Sequence, residues 1–205
     1  MPWSGDIFSG QDVLTGADAP LVGPDDFAEW FSIVAPSNDE LNRIQTACEI
    51  ASADCRAETN QQLSVSTDTV TINQRGGSRE IILPQWPVTA ILSLIIDGNA
   101  LTETTDYVWS QTGVISPVIQ SMLFSCWREW RQVVVTYTHG WSPLPRDIAG
   151  VCLARAKRLY DAPNAQIVEK ETLGTWSVTY APLMDGLTEA EKYTLARYAS
   201  WTNGY

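Results

Sequence analysis

Histidine is almost absent from this sequence of 205 residues, because His139 is the only one. A Ser-His-Asp or Cys-His catalytic site would have to use His139, yet no GxSxG motif and no known cysteine-nucleophile motif accompanies it. The sequence also lacks a P-loop, a GxGxxG motif, a D-x-D-x-D-G calcium loop and any recognised spacing of zinc ligands. These absences predict a protein that is not an enzyme and that uses no metal and no cofactor.

Cysteine is scarce, and its spacing forms no CxxC pair. Two of the four cysteines, Cys48 and Cys55, lie about 10 Å apart along one predicted helix, which is too far for a disulfide between them. We therefore expect reduced cysteines in the core of a cytosolic protein. The longest apolar run, AILSLII, is too short to cross a bilayer, and the N-terminus has no signal-peptide pattern, so we expect no membrane association.

Basic residues are rare in the first part of the chain. Residues 1–60 contain eleven acidic residues but only Arg43 and Arg56, and they account for −9 of the net charge of −11. A pI near 4.4 argues against wrapping DNA, which requires a dense basic surface. The basic residues that are present concentrate in one predicted helix, with Arg146, Arg155, Lys157 and Arg158.

Tryptophan is abundant, with nine residues. A core can hold several of them, but others must be exposed or buried against a partner. Because glycosidases need only two carboxylates and acids are plentiful, a carbohydrate-binding or carbohydrate-cleaving β module remains an alternative.

The spacing of apolar residues divides the chain into helical and β regions. Residues 1–22 show no period and predict an N-terminal arm that becomes ordered only on a partner. Residues 23–205 are predicted to form a single domain. Its helices are expected at about 24–34, 38–60, 145–160 and 188–200, and two of them begin with capping boxes, SNDE and TEAE.

Between these helices, residues 63–139 alternate with the period of two that is typical of strands, and Asp97-Gly98 predicts a hairpin turn. The predicted fold class is α+β. We expect a helical bundle, made of a long N-terminal helix, a middle helix and a C-terminal helix, with a small antiparallel β block inserted. His139 ends the last strand before Gly140, where it is expected to hold a turn by bonding to backbone groups.

Several segments, taken in order, resemble one family. LPQWPVTAILSLIIDGNAL, then VVVTYTHGWSPLPRDIAGVCLARAKRLYDAP, then ETLGTWSVTYAP with LTEAEKYTLARY, are similar to the head–tail connector proteins of tailed bacteriophages, the head-completion or adaptor proteins beneath the portal. The resemblance covers about residues 38–198 and depends on the order and spacing of these segments.

The resemblance implies a structural ring protein, expected to be twelvefold, without catalytic activity. It would bind the portal and the next connector or tail protein, and DNA would pass through its channel without sequence-specific binding. It would lie in the virion neck, and in the host cytoplasm during assembly. Another neck or tail completion protein is the nearest alternative.

Three groups of residues are candidates for contacts in such a ring. The aromatic residues Tyr198, Trp201 and Tyr205 are candidates for docking on the portal, unless this helix end folds on its own domain. The basic residues Arg146, Arg155, Lys157 and Arg158 are candidates for a surface between subunits. The acidic residues Glu49, Asp54 and Glu58 are candidates for the channel lining or an interface. Alternatively, these charges face water or pair within one subunit.

Overall fold

Two separate hydrophobic cores organise the chain, one among helices and one between β-sheets. The structure is a computed structural model, and it describes residues 19–74, 80–118, 131–162, 170–173, 176–179 and 186–200. Among the described residues, no helix combines the length and the apolar character that crossing a bilayer requires.

The described helices are α1 Pro24–Trp30, α2 Asn38–Thr59, α3 Arg146–Asp161 and α4 Glu189–Leu195, followed by a 3-10 helix Ala196–Tyr198. Both predicted capping boxes are confirmed, because the Ser37 and Thr188 side chains accept hydrogen bonds from the backbones of Glu40 and Glu191. Helix α1 ends at Trp30, four residues before its predicted end. Positive φ angles at Ser32 and at Ala35 turn the chain there.

Nine strands are described: β1 Ser66–Gln74, β2 Ile81–Ile82, β3 Val88–Ile96, β4 Asn99–Ala100, β5 Tyr107–Trp109, β6 Val114–Pro117, β7 Arg131–His139, β8 Lys170–Leu173 and β9 Trp176–Thr179. They form a four-stranded sheet in the order β1-β7-β3-β4, a three-stranded sheet in the order β2-β6-β5, and the hairpin β8-β9. All the strand pairings are antiparallel. The predicted turn at Asp97-Gly98 is confirmed, since it joins β3 to β4 with both φ angles positive.

The first core fills the space between the two larger sheets. Alternate residues of β7, among them Val133, Val135 and Tyr137, are completely buried there. The three-stranded sheet contributes Ile81 and Ile115 to the same core. These sheets therefore form a β sandwich with its own apolar interior.

The second core lies between α2 and α3. It is formed by buried residues of both helices together with Phe27 of α1 and Leu195 of α4. Cys48, Cys55 and Cys152 are buried in it as free thiols. Burial raises the pKa of the Cys48 thiol to about 12, so it remains protonated at neutral pH. The fourth cysteine, Cys126, lies outside the described residues.

The prediction of a helical bundle with a small inserted β block was wrong, although the α+β class agrees with the structure. The β region forms two packed sheets with a core of their own, and helices α1 and α4 have only seven residues each. A period of two identifies strands, but it does not reveal that two strand groups pack face to face. The β region was therefore underestimated.

The turn after His139 differs from its prediction in one respect. The Nε2 atom of His139 lies 2.8 Å from Asp68 Oδ2 and 3.3 Å from Ser66 Oγ, so these contacts involve side chains and not backbone groups. Gly140 follows with φ of 101°, and a Cβ atom there would lie 2.2 Å from the Ser64 carbonyl oxygen. Only glycine allows the chain to pass so close to the backbone of Ser64, just before β1.

Candidate interaction surfaces

Three of the four candidate basic residues are bound within their own chain. Arg155 Nε lies 2.8 Å from Asp54 Oδ2, which links α3 to α2, and the Arg155 side chain is only 7% exposed. Lys157 pairs with Asp161 one turn later in α3. Arg158 binds both carboxylate oxygens of Glu191, at 2.8 and 2.7 Å. This last pair joins α3 to α4.

The fourth basic candidate, Arg146, is exposed at the start of α3. Its neighbour Asp147 accepts hydrogen bonds from the Tyr198 hydroxyl at 2.7 and 2.9 Å, and Arg197 next to Tyr198 is also exposed. Neither Arg146 nor Arg197 forms an ion pair within the part of the chain that the structure describes. We call these two residues, whose sequence neighbours Asp147 and Tyr198 are bonded to each other, the arginine corner. The sequence had not indicated Arg197, because Asp147 and Tyr198 lie 51 positions apart in the chain.

The acidic candidates lie on α2 in different surroundings. Glu49 is half-buried and accepts a hydrogen bond from Gln45 at 2.6 Å. Asp54 is bound to Arg155, whereas Glu58 is exposed. The hydrogen bond with Glu189 raises the pKa of the Lys192 amine, and the nearby charge of Glu58 adds to this rise. Of the three, Glu58 is the one that presents its carboxylate to solvent. Their role in a channel or an interface stays a prediction.

The aromatic candidate Tyr198 packs on its own domain. Its ring meets Trp141 edge-on at 5.4 Å between centroids, and Trp141 meets Trp86 in the same way at 5.2 Å. Trp201 and Tyr205 lie outside the described residues. Of the three docking candidates, Tyr198 is therefore occupied by contacts inside the subunit, as the alternative interpretation expects.

The residues around Tyr198 fasten the end of the described chain between the two cores. Gln61 Nε2 donates to the Tyr198 carbonyl at 2.8 Å, and Trp86 Nε1 donates to the Ala199 carbonyl at 3.3 Å. Ser200 donates its N–H to the Thr59 carbonyl at 2.9 Å and its hydroxyl to the Pro84 carbonyl at 2.8 Å. We call residues 198–200 the tail clamp. It bridges the end of α2 to the loop before β3.

The Ser66, Asp68 and His139 cluster contains the residue types of a catalytic triad but not its geometry. Both Ser66 and Asp68 approach the same imidazole nitrogen, Nε2, whereas a triad needs the carboxylate at one nitrogen and the hydroxyl at the other. His139 is also 1% exposed, so a substrate could not reach it without a rearrangement. Among the described residues, no group of three or more metal-ligating side chains comes together.

Exposed apolar side chains form a smaller set that the sequence analysis did not single out. Trp30 and Val34, at and after the end of α1, are 66% and 89% exposed, and Tyr193 of α4 is 78% exposed. Trp86, Trp109 and Trp141 are half-buried. An array of exposed tryptophans that could stack on a sugar is therefore not found among the described side chains.

No protein-family model matches the sequence, and no curated protein matches it either. Solved structures do share its fold. A chain from the neck of an empty gene transfer agent (GTA) particle, computed with C6 symmetry, superposes with a TM-score of 0.55 at 15% identity, over 87% of this chain and 89% of that one. A chain from the neck of a native GTA particle, computed with C12 symmetry, gives 0.52 at 15% identity, over 89% and 90%. The chain therefore has the fold of a neck chain of gene transfer agent particles.

Proposed function

We propose that this chain is a structural, non-catalytic subunit of the neck of a phage-like particle, where it acts as a head–tail connector. The observation that supports this proposal best is the fold shared with GTA neck chains over 87% and 89% of the sequence. The order of motifs that resembles the phage connectors supports the same role independently.

In this proposal the subunits form a ring, twelvefold, that lies beneath the portal and joins it to the next connector or tail protein. The C12 and C6 symmetries of the two GTA necks support a ring of six or twelve copies. A ring requires two different, complementary surfaces on each subunit. The arginine corner is one candidate, and the exposed acids of α1, Asp25, Asp26 and Glu29, are its complement on the next copy.

The channel of the ring would let DNA pass without sequence-specific binding. A chain with a net charge of −11 repels the phosphate backbone, so DNA slides past it without being held. Exposed carboxylates such as Glu58 would line this channel. Assembly would take place in the host cytoplasm before the particle is complete.

Attachment to the portal would use the last five residues. The tail clamp ends at Ser200, which leaves Trp201 and Tyr205 beyond it as aromatic anchors for a portal groove. Tyr198 belongs to the clamp and would orient this segment without contacting the portal itself.

Imaging of assembled particles by cryo-electron microscopy tests the proposed function. We expect a ring of this chain in the neck, between portal and tail. The double variant Arg146→Glu with Arg197→Glu should reduce the fraction of particles with a joined tail, because it would place carboxylates opposite Asp25, Asp26 and Glu29.

Lys192→Glu is the matched control. Lys192 already pairs with Glu189 on the surface of its own chain, so its reversal should leave tail joining unchanged. Finding this polypeptide outside the neck would contradict the proposed function. Equal tail joining in both variants would contradict only the arginine corner as an interface.

A further inference from the structure

Strand β1 forms one edge of the four-stranded sheet and has nine residues. It pairs with β7 in an unbroken register from Ser66 with His139 to Gln74 with Arg131. The strand contains no proline, lysine or arginine, and its one charged residue, Asp68, is bonded to His139. Long, regular edges of this kind are ready to pair with another strand.

The direction of the unpaired backbone groups follows from hydrogen bonds at both ends of β7. The N–H of Asp97 donates to the Gln132 carbonyl, and the N–H of Gly140 donates to the Pro87 carbonyl, so even-numbered residues of this stretch bond toward β3. Odd-numbered residues of β7 therefore bond toward β1, where Val135 is opposite Val70.

Consequently, the odd-numbered residues of β1 direct their N–H and C=O groups away from the sheet. These residues are Thr67, Thr69, Thr71 and Asn73, all exposed. The described part of the chain places no hydrogen-bond partner on their backbones. Four donors and four acceptors thus face outward in a row along one edge.

The opposite edge of the sheet is protected against pairing with a further strand, so β1 is the edge at which another strand could be added. Strand β4 covers Ile95 and Ile96 of β3, and two register shifts, at Thr89 and at Leu92, interrupt the rest of β3. Bulges of this kind prevent a further strand from pairing. The edge formed by β3 and β4 is therefore irregular, whereas the edge formed by β1 is regular.

The outer face beside β1 also carries no charged side chain among the residues that the structure describes. Thr67 and Thr69 bond through their hydroxyls to Thr138 and Thr136 at 2.9 Å, and Val134 continues the row opposite Thr71. In a chain of net charge −11, an approaching copy would meet carboxylates on many surfaces, but it meets none among the described side chains of this face. Like-charge repulsion is therefore low here.

The same chain contains a strand pair that lacks a sheet. The hairpin β8-β9 consists of two four-residue strands, and none of the other described helices and strands makes more than marginal contact with it. An isolated hairpin is marginally stable and needs at least a third strand or a packed face. Thr172, Val178 and Thr179 are residue types that favour strands.

We propose that the hairpin β8-β9 of one copy adds to the β1 edge of the next copy, so that the four-stranded sheet continues across the subunit boundary. The contact joins two different surfaces, as a closed ring requires. A four-residue strand spans about 13 Å and would form backbone hydrogen bonds with two of the outward-facing residues of β1. This inference rests on the proposed ring and specifies one of its contacts.

Thr69→Pro tests the proposal with the smallest change. Proline removes the outward N–H at position 69 but leaves the ladder to β7 intact, because residue 69 bonds away from β7. We expect the variant to fold with the circular dichroism spectrum of the wild type, and the concentration for half-maximal ring assembly to rise about tenfold or more. Thr69→Val keeps the N–H and should assemble like the wild type.

Two further measurements cover the case in which the proline variant does not fold. Replacing residues 170–179 with a Gly-Ser segment of equal length should cause the same loss of assembly. In wild-type rings, the amide of Thr69 and that of one neighbouring outward-facing threonine, Thr67 or Thr71, should exchange with deuterium more slowly than in the monomer, while the Val70 amide is protected in both.

Rings that form normally without the hairpin, or equal exchange of the three threonine amides in ring and monomer, would overturn the edge contact and leave the ring proposal in place. A wild-type chain that forms no ring, alone or in the neck, would overturn both.

Discussion

Glu191 connects three parts of the chain through one carboxylate. It accepts both hydrogen bonds from Arg158 of α3, and it also accepts the Thr188 N–H that closes the capping box of α4. Burial acts to raise the pKa of Glu191, but the bonds from Arg158 and Thr188 outweigh burial, so its pKa lies below the usual value of 4.5. The carboxylate is therefore bound more favourably in the folded state than in the unfolded chain.

This pairing predicts a specific loss of stability in acid. Because the folded pKa is lowered, its contribution is present above about pH 4.5 and is lost as the pH falls through the folded pKa. Glu191→Gln should lower the free energy of unfolding at pH 7 by about 1 to 2 kcal/mol. The difference from the wild type should shrink below pH 4.5, as measured by urea unfolding between pH 3 and pH 7.

Glu189→Gln is the control for this prediction. Glu189 lies on the same helix and pairs with Lys192, but its side chain is 91% exposed. Its removal should therefore change the free energy of unfolding, and its dependence on pH below 4.5, much less. A wild-type pH dependence in the Glu191 variant would contradict the interpretation.

At this scale the sequence predicts local partners and misses distant ones. The capping boxes at Ser37 and Thr188 are recognisable because their partners lie three residues away. Arg155 and Asp54 are separated by 101 positions, so no spacing rule could pair them. Arg155 was therefore only a candidate for a surface between subunits, whereas folding directs it toward Asp54 of α2.

At the scale of elements, Gly140 in a turn and Gly150 in a helix differ in the room available for a Cβ atom. Gly140 has a positive φ and approaches the Ser64 backbone so closely that a Cβ atom would overlap it. Gly150 lies inside α3, with nothing within 4 Å of the position where a Cβ would stand.

Alanine at these two positions should have opposite effects. We expect Gly140→Ala to lower the free energy of unfolding by about 3 kcal/mol or more, because both the backbone angle and the contact with Ser64 are unfavourable. Gly150→Ala should raise it by about 0.5 to 1 kcal/mol, since alanine favours the helix. Chemical denaturation measures the free energy of unfolding of both variants. An unchanged value for Gly140→Ala would show that the backbone at Gly140 and Ser64 can move apart.

The elements themselves were largely predictable, but their arrangement was not. The period of two located β3, and Asp97-Gly98 located its turn, because both depend on neighbouring residues. The packing of the four-stranded sheet on the three-stranded sheet brings Ile81, Ile115 and Val135 into one buried cluster, which no local pattern specifies. For the same reason the arginine corner could not be assembled from the sequence.

At the scale of the whole molecule, the tail clamp connects the helical core with the β sandwich. Ser200 bonds to both Thr59 and Pro84, so a cut after Ala199 would remove these bonds, whereas a cut after Ser200 would keep them.

A pair of truncations separates docking from folding. Ending the chain after Ser200 should keep the thermal midpoint near that of the wild type but weaken attachment to the portal, because Trp201 and Tyr205 are removed. Ending it after Ala199 should also lower the free energy of unfolding, by about 1 kcal/mol for each bond lost. Calorimetry and a portal pull-down measure the two effects. Unchanged portal binding after both cuts would contradict the docking role of the tail.

The tail clamp also has a mechanical consequence. Ser200 bonds at once to the end of the longest helix and to the loop that leads into β3, so tension applied at the C-terminus would be divided between the two cores at their boundary. A subunit pulled by its last residues would therefore resist as one body.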